Sequence, residues 1–147
     1  MSGADPEDGA SLLVHGACHC GAVRLTARIQ PSRILVCHCT DCQVLTGSAF
    51  RVVAPVVPGS LEVQGAVKEY ARTADSGTVR LQAFCPECGT PVYARSAGAD
   101  GMATVRVGIL AERQALTPVT QLWRRSALPW VDRLAGVAGC ERQELLG

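Results

Sequence analysis

Much of the chain is written in twos. In Val23-Arg24-Leu25-Thr26-Ala27-Arg28-Ile29 the odd positions are apolar and the even ones polar, the pattern of a strand with one buried face. Val79-Arg80-Leu81-Gln82-Ala83 and Ala103-Thr104-Val105-Arg106-Val107 alternate likewise, and Leu61-Glu62-Val63-Gln64 is a shorter case. Ile34-Leu35-Val36 and Arg51-Val52-Val53-Ala54 carry denser apolar runs and predict more deeply buried strands. Gly and Pro punctuate the gaps, at Gln30-Pro31-Ser32, Val57-Pro58-Gly59, Gly89-Thr90-Pro91 and Ala97-Gly98-Ala99-Asp100-Gly101. Many short strands with frequent turns predict an all-β sandwich or barrel-like fold.

One stretch breaks the period of two. Thr40-Asp41-Cys42-Gln43 fits a capping box, Thr followed three residues later by Gln, and Gly47 would close the helix after about two turns. A second short helix is expected around Leu110–Leu116. The polar, acidic residues 1–10 read as a flexible N-terminal tail, 11–135 as one domain, and 136–147 as a C-terminal tail.

Composition narrows the function classes. The chain has 147 residues, 48% hydrophobic and 18% charged, enough for one real core and too apolar for wholesale disorder. The net charge is +1 and aromatics are 4%, so neither the basic excess nor the stacking platforms of a nucleic-acid binder are present. No apolar run approaches the ~18 residues of a membrane span. The start, Met1-Ser2-Gly3-Ala4-Asp5-Pro6-Glu7-Asp8, lacks the basic and apolar regions of a secretory signal. The expected compartment is the reducing cytoplasm.

The eight cysteines change the picture most. Cys18 and Cys20 form a C-x-C, Cys37, Cys39 and Cys42 a C-x-C-x-x-C, and Cys85 and Cys88 a C-x-x-C; Cys140 stands alone. A reducing compartment argues against disulfides, and two cysteines one residue apart cannot bridge each other without strain. They can both aim sulfur at one ion, and tight groups of soft thiolates are what zinc selects. A closed structural zinc takes four ligands and a catalytic one takes three with one place open. The economical partition gives Cys18, Cys20, Cys85 and Cys88 a closed site and Cys37, Cys39 and Cys42 an open one, two Zn2+ per chain. A single zinc with several inert buried thiols, or a redox pair at Cys85 and Cys88, are the alternatives; no βαβ pattern surrounds that pair. The first two half-sites stand 65 residues apart, from Cys20 to Cys85, so a metal clip there closes a long loop and stabilises strongly.

These residues resemble a known family. Gly16-Ala17-Cys18-His19-Cys20-Gly21-Ala22-Val23, Cys37-His38-Cys39-Thr40-Asp41-Cys42 with Thr46-Gly47-Ser48-Ala49-Phe50, and Phe84-Cys85-Pro86-Glu87-Cys88-Gly89-Thr90-Pro91 look like its three signatures. Leu122-Trp123 and Leu128-Pro129-Trp130 are similar to its C-terminal elements. The chain, over roughly residues 13–133, resembles the glutathione-dependent formaldehyde-activating enzymes, a family that includes the centromere protein V proteins. The resemblance implies an all-β, zinc-stabilised β-tent fold with short helical turns. It implies structural zinc ligands at Cys18, Cys20, Cys85 and Cys88, and catalytic zinc ligands at Cys37, Cys39 and Cys42. The implied activity is a carbon–sulfur lyase that forms or cleaves S-hydroxymethylglutathione from glutathione and formaldehyde, with a small-molecule thiol such as glutathione as partner.

Three thiolates on Zn2+ leave a formal charge of −1, and a fourth place suited to a substrate thiolate or an aldehyde oxygen. The sequence does not choose between those two uses. Arg51 is a candidate to compensate added negative charge, against the reading of an ordinary strand-surface arginine. His19 and His38, each inside a C-x-C, point away from the metal if the flanking sulfurs face it, which leaves His38 a supporting hydrogen bond or proton handling. His15 reads as a strand residue, Asp41 as a first-turn acid on the helix dipole, and Trp123 and Trp130 as core or pocket-wall residues with stacking on substrate as the alternative. Cys140 is either a spare thiol or a fourth ligand that closes the second site. The rival to the enzyme is a non-catalytic, zinc-stabilised binding module of the same fold.

Overall fold

The alternating segments form strands. A computed structural model describes residues 10–98 and 101–144, and among these it has ten: β1 (Leu12–Ala17), β2 (Arg24–Ile29), β3 (Leu35–Cys37), β4 (Arg51–Pro55), β5 (Glu62–Gln64), β6 (Lys68–Thr73), β7 (Val79–Phe84), β8 (Pro91–Ser96), β9 (Ala103–Arg106) and β10 (Thr120–Leu122). One α-helix, α1 (Thr40–Thr46), and short 3-10 turns complete the described elements. The fold is all-β, as expected; the strands β1, β6, β8 and β10 carry no clean alternation and lie outside those the pattern predicts.

The strands make two sheets. The smaller has the order β1-β2-β5, and the larger runs β10-β3-β4-β9-β8-β7-β6. All pairs are antiparallel except β10 with β3. Isolated bridges from Gly16 to Leu110 and from Ile29 to Val56 stitch the small sheet to its surroundings.

Register decides which side chains share a face, because cross-strand partners project together. Ala83, Tyr93, Val105 and Ala54 follow one another across β7, β8, β9 and β4. They join Val14, Leu25, Ala27 and Ile29 of the small sheet in one buried core. The opposite face of the large sheet has a different character. Leu122 partners Cys37, Cys37 partners Arg51, Val53 partners Arg106, Thr104 partners Ala94, Ala94 partners Gln82, and Arg80 partners Arg72. These residues line one cleft of about 670 Å³.

That cleft corrects the reading of two arginines. Arg51 and Arg106 occupy polar positions of strand patterns and would be solvent-facing in a simple half-buried sheet; they are 8% and 7% exposed. The third alternating segment also ends early as a strand, at Arg106, and turns into a 3-10 turn at Val107–Ile109.

α1 begins and ends almost where predicted, with a different cap. Gly47 closes it in the left-handed region (φ 62°). Its N-cap is Cys39, whose sulfur accepts from the Cys42 amide at 3.3 Å. The expected capping box of Thr40 and Gln43 does not form, because Gln43 spends its amide on the carbonyls of His38 and Ser126. The region around Leu110–Leu116 holds only a 3-10 turn, Arg113–Ala115. The predicted N-terminal tail lies outside the described residues except for Ala10, and the C-terminal one is described only to residue 144, without strand or helix beyond Gly136. Among the described residues no helix is long and apolar enough to cross a membrane.

Candidate metal centres

Two turns bring four cysteines together. Cys18 and Cys20 follow β1 in a turn where the Cys18 amide bonds the Val23 carbonyl and the Gly21 amide bonds the Cys18 carbonyl. Cys85 and Cys88 follow β7 in a matching turn, closed by Cys85 N–H on the Thr90 carbonyl and Gly89 N–H on the Cys85 carbonyl. Gly21 (φ 82°) and Gly89 (φ 77°) supply the left-handed backbone that each turn requires. The two turns are pinned to each other by the His19 amide on the Thr90 hydroxyl at 3.1 Å.

The four sulfurs all lie within 4.8 Å of one another. Sulfurs about 2.3 Å from a shared tetrahedral zinc stand about 3.8 Å apart; Cys18 and Cys20 are at 3.7 Å, Cys20 and Cys85 at 3.8 Å. A disulfide needs about 2.05 Å, and all eight cysteines are free thiols. Main-chain amides already point at the sulfurs, Val23 at Cys18 (3.2 Å) and Glu87 at Cys85 (3.4 Å). The Thr90 hydroxyl and the amides of Thr90 and Cys20 hold the Cys88 thiol down to about 5. Cys20 is pushed up to about 12: the Ala22 amide lowers it, but Cys18 claims its proton. A soft, thiolate-rich quartet at tetrahedral spacing fits zinc.

The second group is built from a strand end and a helix start. Cys37 closes β3, Cys39 caps α1 and Cys42 lies in its first turn; their sulfurs also lie within 4.8 Å of one another, and all three are half-buried. The thiols share protons unequally. Cys42 donates to Cys37 and, with the Cys39 amide and the Arg51 charge, brings Cys37 down to about 5; giving its proton to Cys37 and burial push Cys42 up. No fourth His, Cys, Asp or Glu joins the trio among the described residues. Cys140 is exposed and gives its S–H to the Arg142 carbonyl at 2.8 Å.

The loop that carries the trio is tied to β10 and to the segment after it. His38 N–H donates to the Leu122 carbonyl at 3.0 Å, and its Nε2 meets Gln121 Oε1 at 2.8 Å. Gln43 Nε2 bonds both His38 O (2.9 Å) and Ser126 O (3.0 Å). The His38 ring is buried against Phe50, centroids 5.6 Å apart, and is not among the cleft-lining residues. It thus supports the loop and does not reach the cleft. His19 is exposed; His15, in β1, meets Glu112 through its amide and its ring.

The trio opens into the cleft, whose wall includes Arg51, Arg72, Arg80, Gln82, Arg106 and Trp123. Asp41 does sit in the first turn of α1, and Arg72 of β6, which also lines the cleft, donates to it. Of these six wall residues, Arg51 and Trp123 are candidates on sequence grounds; Arg72, Arg80, Gln82 and Arg106 are not. Trp123 and Trp130 are not core residues, being 55% and 45% exposed. Trp123 stands on the cleft wall, with a left-handed backbone (φ 59°) that a non-glycine residue adopts at a cost.

Comparison with known proteins places this geometry in a family. The family model described as glutathione-dependent formaldehyde-activating enzyme matches residues 13–126, which hold both cysteine groups. The chain belongs to that family. A Schizosaccharomyces pombe protein named as an uncharacterized lyase is similar to it, 31% identical over 78 residues. That match covers 53% of this chain and 54% of the relative, so the chain spans about half the length of the curated relative it matches. A crystal structure of a Rhodobacter sphaeroides protein shares the fold, with a TM-score of 0.58 at 23% identity, covering 73% of this chain and 98% of that one. Within this formaldehyde-activating enzyme family member, two cysteine groups can each hold a metal ion.

Proposed function

We propose that the protein is a zinc-dependent carbon–sulfur lyase acting on a thiol–aldehyde adduct, which forms or cleaves S-hydroxymethylglutathione from glutathione and formaldehyde. Cys18, Cys20, Cys85 and Cys88 hold a structural zinc, and Cys37, Cys39 and Cys42 a catalytic one. The reading rests on one observation above the others: three clustered thiols, with no fourth protein ligand among the described residues, open into a cleft walled by arginines. Membership of the family and the lyase-named relative support it. A reducing cytoplasm, which keeps eight thiols free, suits both centres.

The chemistry is an addition without redox change. The S–H bond and the carbonyl π bond break, a bond forms between the thiol sulfur and the carbonyl carbon, and the π electron pair takes the thiol proton on the new hydroxyl oxygen; cleavage is the reverse. When bound, zinc supplies a positive centre that favours the substrate's sulfur as thiolate or polarises the aldehyde oxygen. The chain's own residues set the stage. The Cys42 amide holds the Cys39 sulfur, Gln43 and His38 fix the loop, and Arg51, paired across the sheet with Cys37, offsets the added negative charge.

The test is exchange NMR of glutathione with labelled formaldehyde, run beside metal analysis. Wild type should hold two zincs and accelerate exchange over buffer; Cys42→Ala should hold one and run at the buffer rate. Two zincs with no acceleration would remove this reaction. A three-thiolate site closed by a fourth protein ligand in the zinc-loaded enzyme would instead favour the binding-module reading.

A further inference from the structure

Arg51 and Arg106 are charged groups more than nine-tenths buried. Both donate to one atom, Gln82 Oε1, Arg51 through Nη1 at 3.1 Å and Arg106 through Nη2 at 2.5 Å. A guanidinium carries five N–H donors, and no other hydrogen bond from either guanidinium is made among the described residues. The Nε of each is buried without a partner. The ion pairs of the described residues use other arginines: Arg72 with Asp41, Arg95 with Glu69, Arg124 with Asp132. Two like charges therefore sit side by side with unspent donors, an arrangement that is costly without an anion.

The trio does not supply enough negative charge. Three thiolates around a divalent zinc carry −1, against +2 for the two arginines. Burial and the neighbouring Arg51 charge lower Arg106 to about 9, which still leaves it protonated at neutral pH. Distance matters as well. Cys37, Arg51 and Arg106 belong to the consecutive strands β3, β4 and β9, and neighbouring strands are about 4.8 Å apart. Arg106 stands two strands from Cys37, and its guanidinium is drawn to Gln82 of β7, on the side of the sheet away from the trio. An anion on Arg106 belongs to a different part of the same ligand.

We propose that Arg51 and Arg106, oriented by Gln82, seat a carboxylate of the substrate thiol, so that the enzyme selects thiols bearing a carboxylate well removed from their sulfur. This rests on the reading of the trio as the sulfur-handling centre. Planar guanidinium forks match carboxylates through paired hydrogen bonds, and removing the partner of so buried a charge weakens binding strongly.

The test separates the anion end of the ligand from its sulfur end. S-methylglutathione keeps both carboxylates and has no thiol to offer a metal; its diester keeps the shape and loses the charges. Calorimetric titration of the zinc-loaded protein should show S-methylglutathione binding, and the diester binding about tenfold more weakly or worse. Arg106→Gln, checked for an unchanged melt and two zincs, should lose affinity for the diacid by a similar factor and be indifferent to esterification; Arg106→Lys should regain part of it. The diester comparison needs no variant, so it stands even if the arginine variants fail to fold. Equal affinity for diacid and diester overturns the inference. Binding of glutathione without binding of S-methylglutathione also overturns it, while leaving the sulfur-handling reading intact. Ester-sensitive binding with no formaldehyde exchange does the reverse: the arginine site stands and the reaction assignment falls. No binding of either thiol or thioether removes both.

Discussion

The two cysteine groups offer the same ligand atom from opposite settings. The quartet joins chain positions far apart, at the ends of β1 and β7, and its buried members Cys18 and Cys85 belong to the core itself. Its sulfurs face one another, and none of the four lines the cleft. The trio draws on six consecutive residues, Cys37 to Cys42, half-buried and facing charged side chains across open space. Ligand number is the smaller part of this contrast. What differs is where the group sits: a metal on the quartet would clamp two turns distant in the chain, while one on the trio would close no long loop and would face the cleft.

The sharpest way to break the contrast is to remove one sulfur from each side. Cys85 is fully buried (0% exposed). Cys85→Ser leaves a metal short of a ligand, a hydroxyl in the core and a long loop unclosed. The expected cost is on the order of 4 kcal/mol or more, enough to lower the melting temperature by about 15 °C or abolish a cooperative transition. Cys42→Ala should leave the melt within a few degrees of wild type, because its loss opens no long loop. Circular dichroism melts of the two variants, side by side, decide it; equal destabilisation would mean that both groups are scaffold.

A smaller effect probes what holds the trio in shape. Gln43 ties the carbonyls of His38 and Ser126 through one amide nitrogen. Gln43→Ala leaves two partly buried acceptors to find water, a cost of about 1–2 kcal/mol. Loosening the residues behind metal ligands weakens affinity by about ten- to a hundredfold. Chelator competition should then release one zinc about tenfold faster than in wild type, with the other unchanged. Acceleration of both zincs would contradict an independent trio.

The cysteine clusters are legible in the amino-acid order alone, and what is not legible there has a physical reason. Chelation demands short spacings, so Cys37-x-Cys39-x-x-Cys42 is readable wherever it falls. Period-two strands such as β2 show because one face meets the core. The arginine wall stays hidden because alternation reports only that Arg80, Gln82 and Arg106 point away from the apolar face. Whether that other face meets water or a cleft depends on the order β3-β4-β9-β8-β7, which no single strand encodes. Arg51 can be suspected because it stands near the trio in sequence; Arg106, far away, cannot. Of the two places expected for the Trp residues, core or pocket wall, Trp123 takes the second. It stands on the cleft wall, 55% exposed, with a left-handed backbone.

The smallest expected effect separates the acid sensitivity of sulfur from that of an ordinary ion pair. Arg95 reaches Glu69 with Nε and Nη2, at 2.7 and 3.0 Å, in a two-pronged contact between β8 and β6. Hydrogen bonding to the guanidinium holds the Glu69 carboxyl below its ordinary value, partial desolvation opposing. A folded value below the unfolded one means the stability is fully present above about pH 4.3 and is lost as pH falls through the folded value. Both side chains are partly exposed, so the contribution is about 0.2–1 kcal/mol. Glu69→Gln should therefore lower the urea midpoint slightly at pH 7, with a gap to wild type that stays constant on acidification and narrows only below about pH 4.3. Thiolate ligands take up protons and release metal in both proteins, so that contribution cancels in the difference. A gap that already closes between about pH 6 and 5 would couple Glu69 to the metal centres, and the separation of scaffold from sulfur chemistry would no longer hold for the acid side.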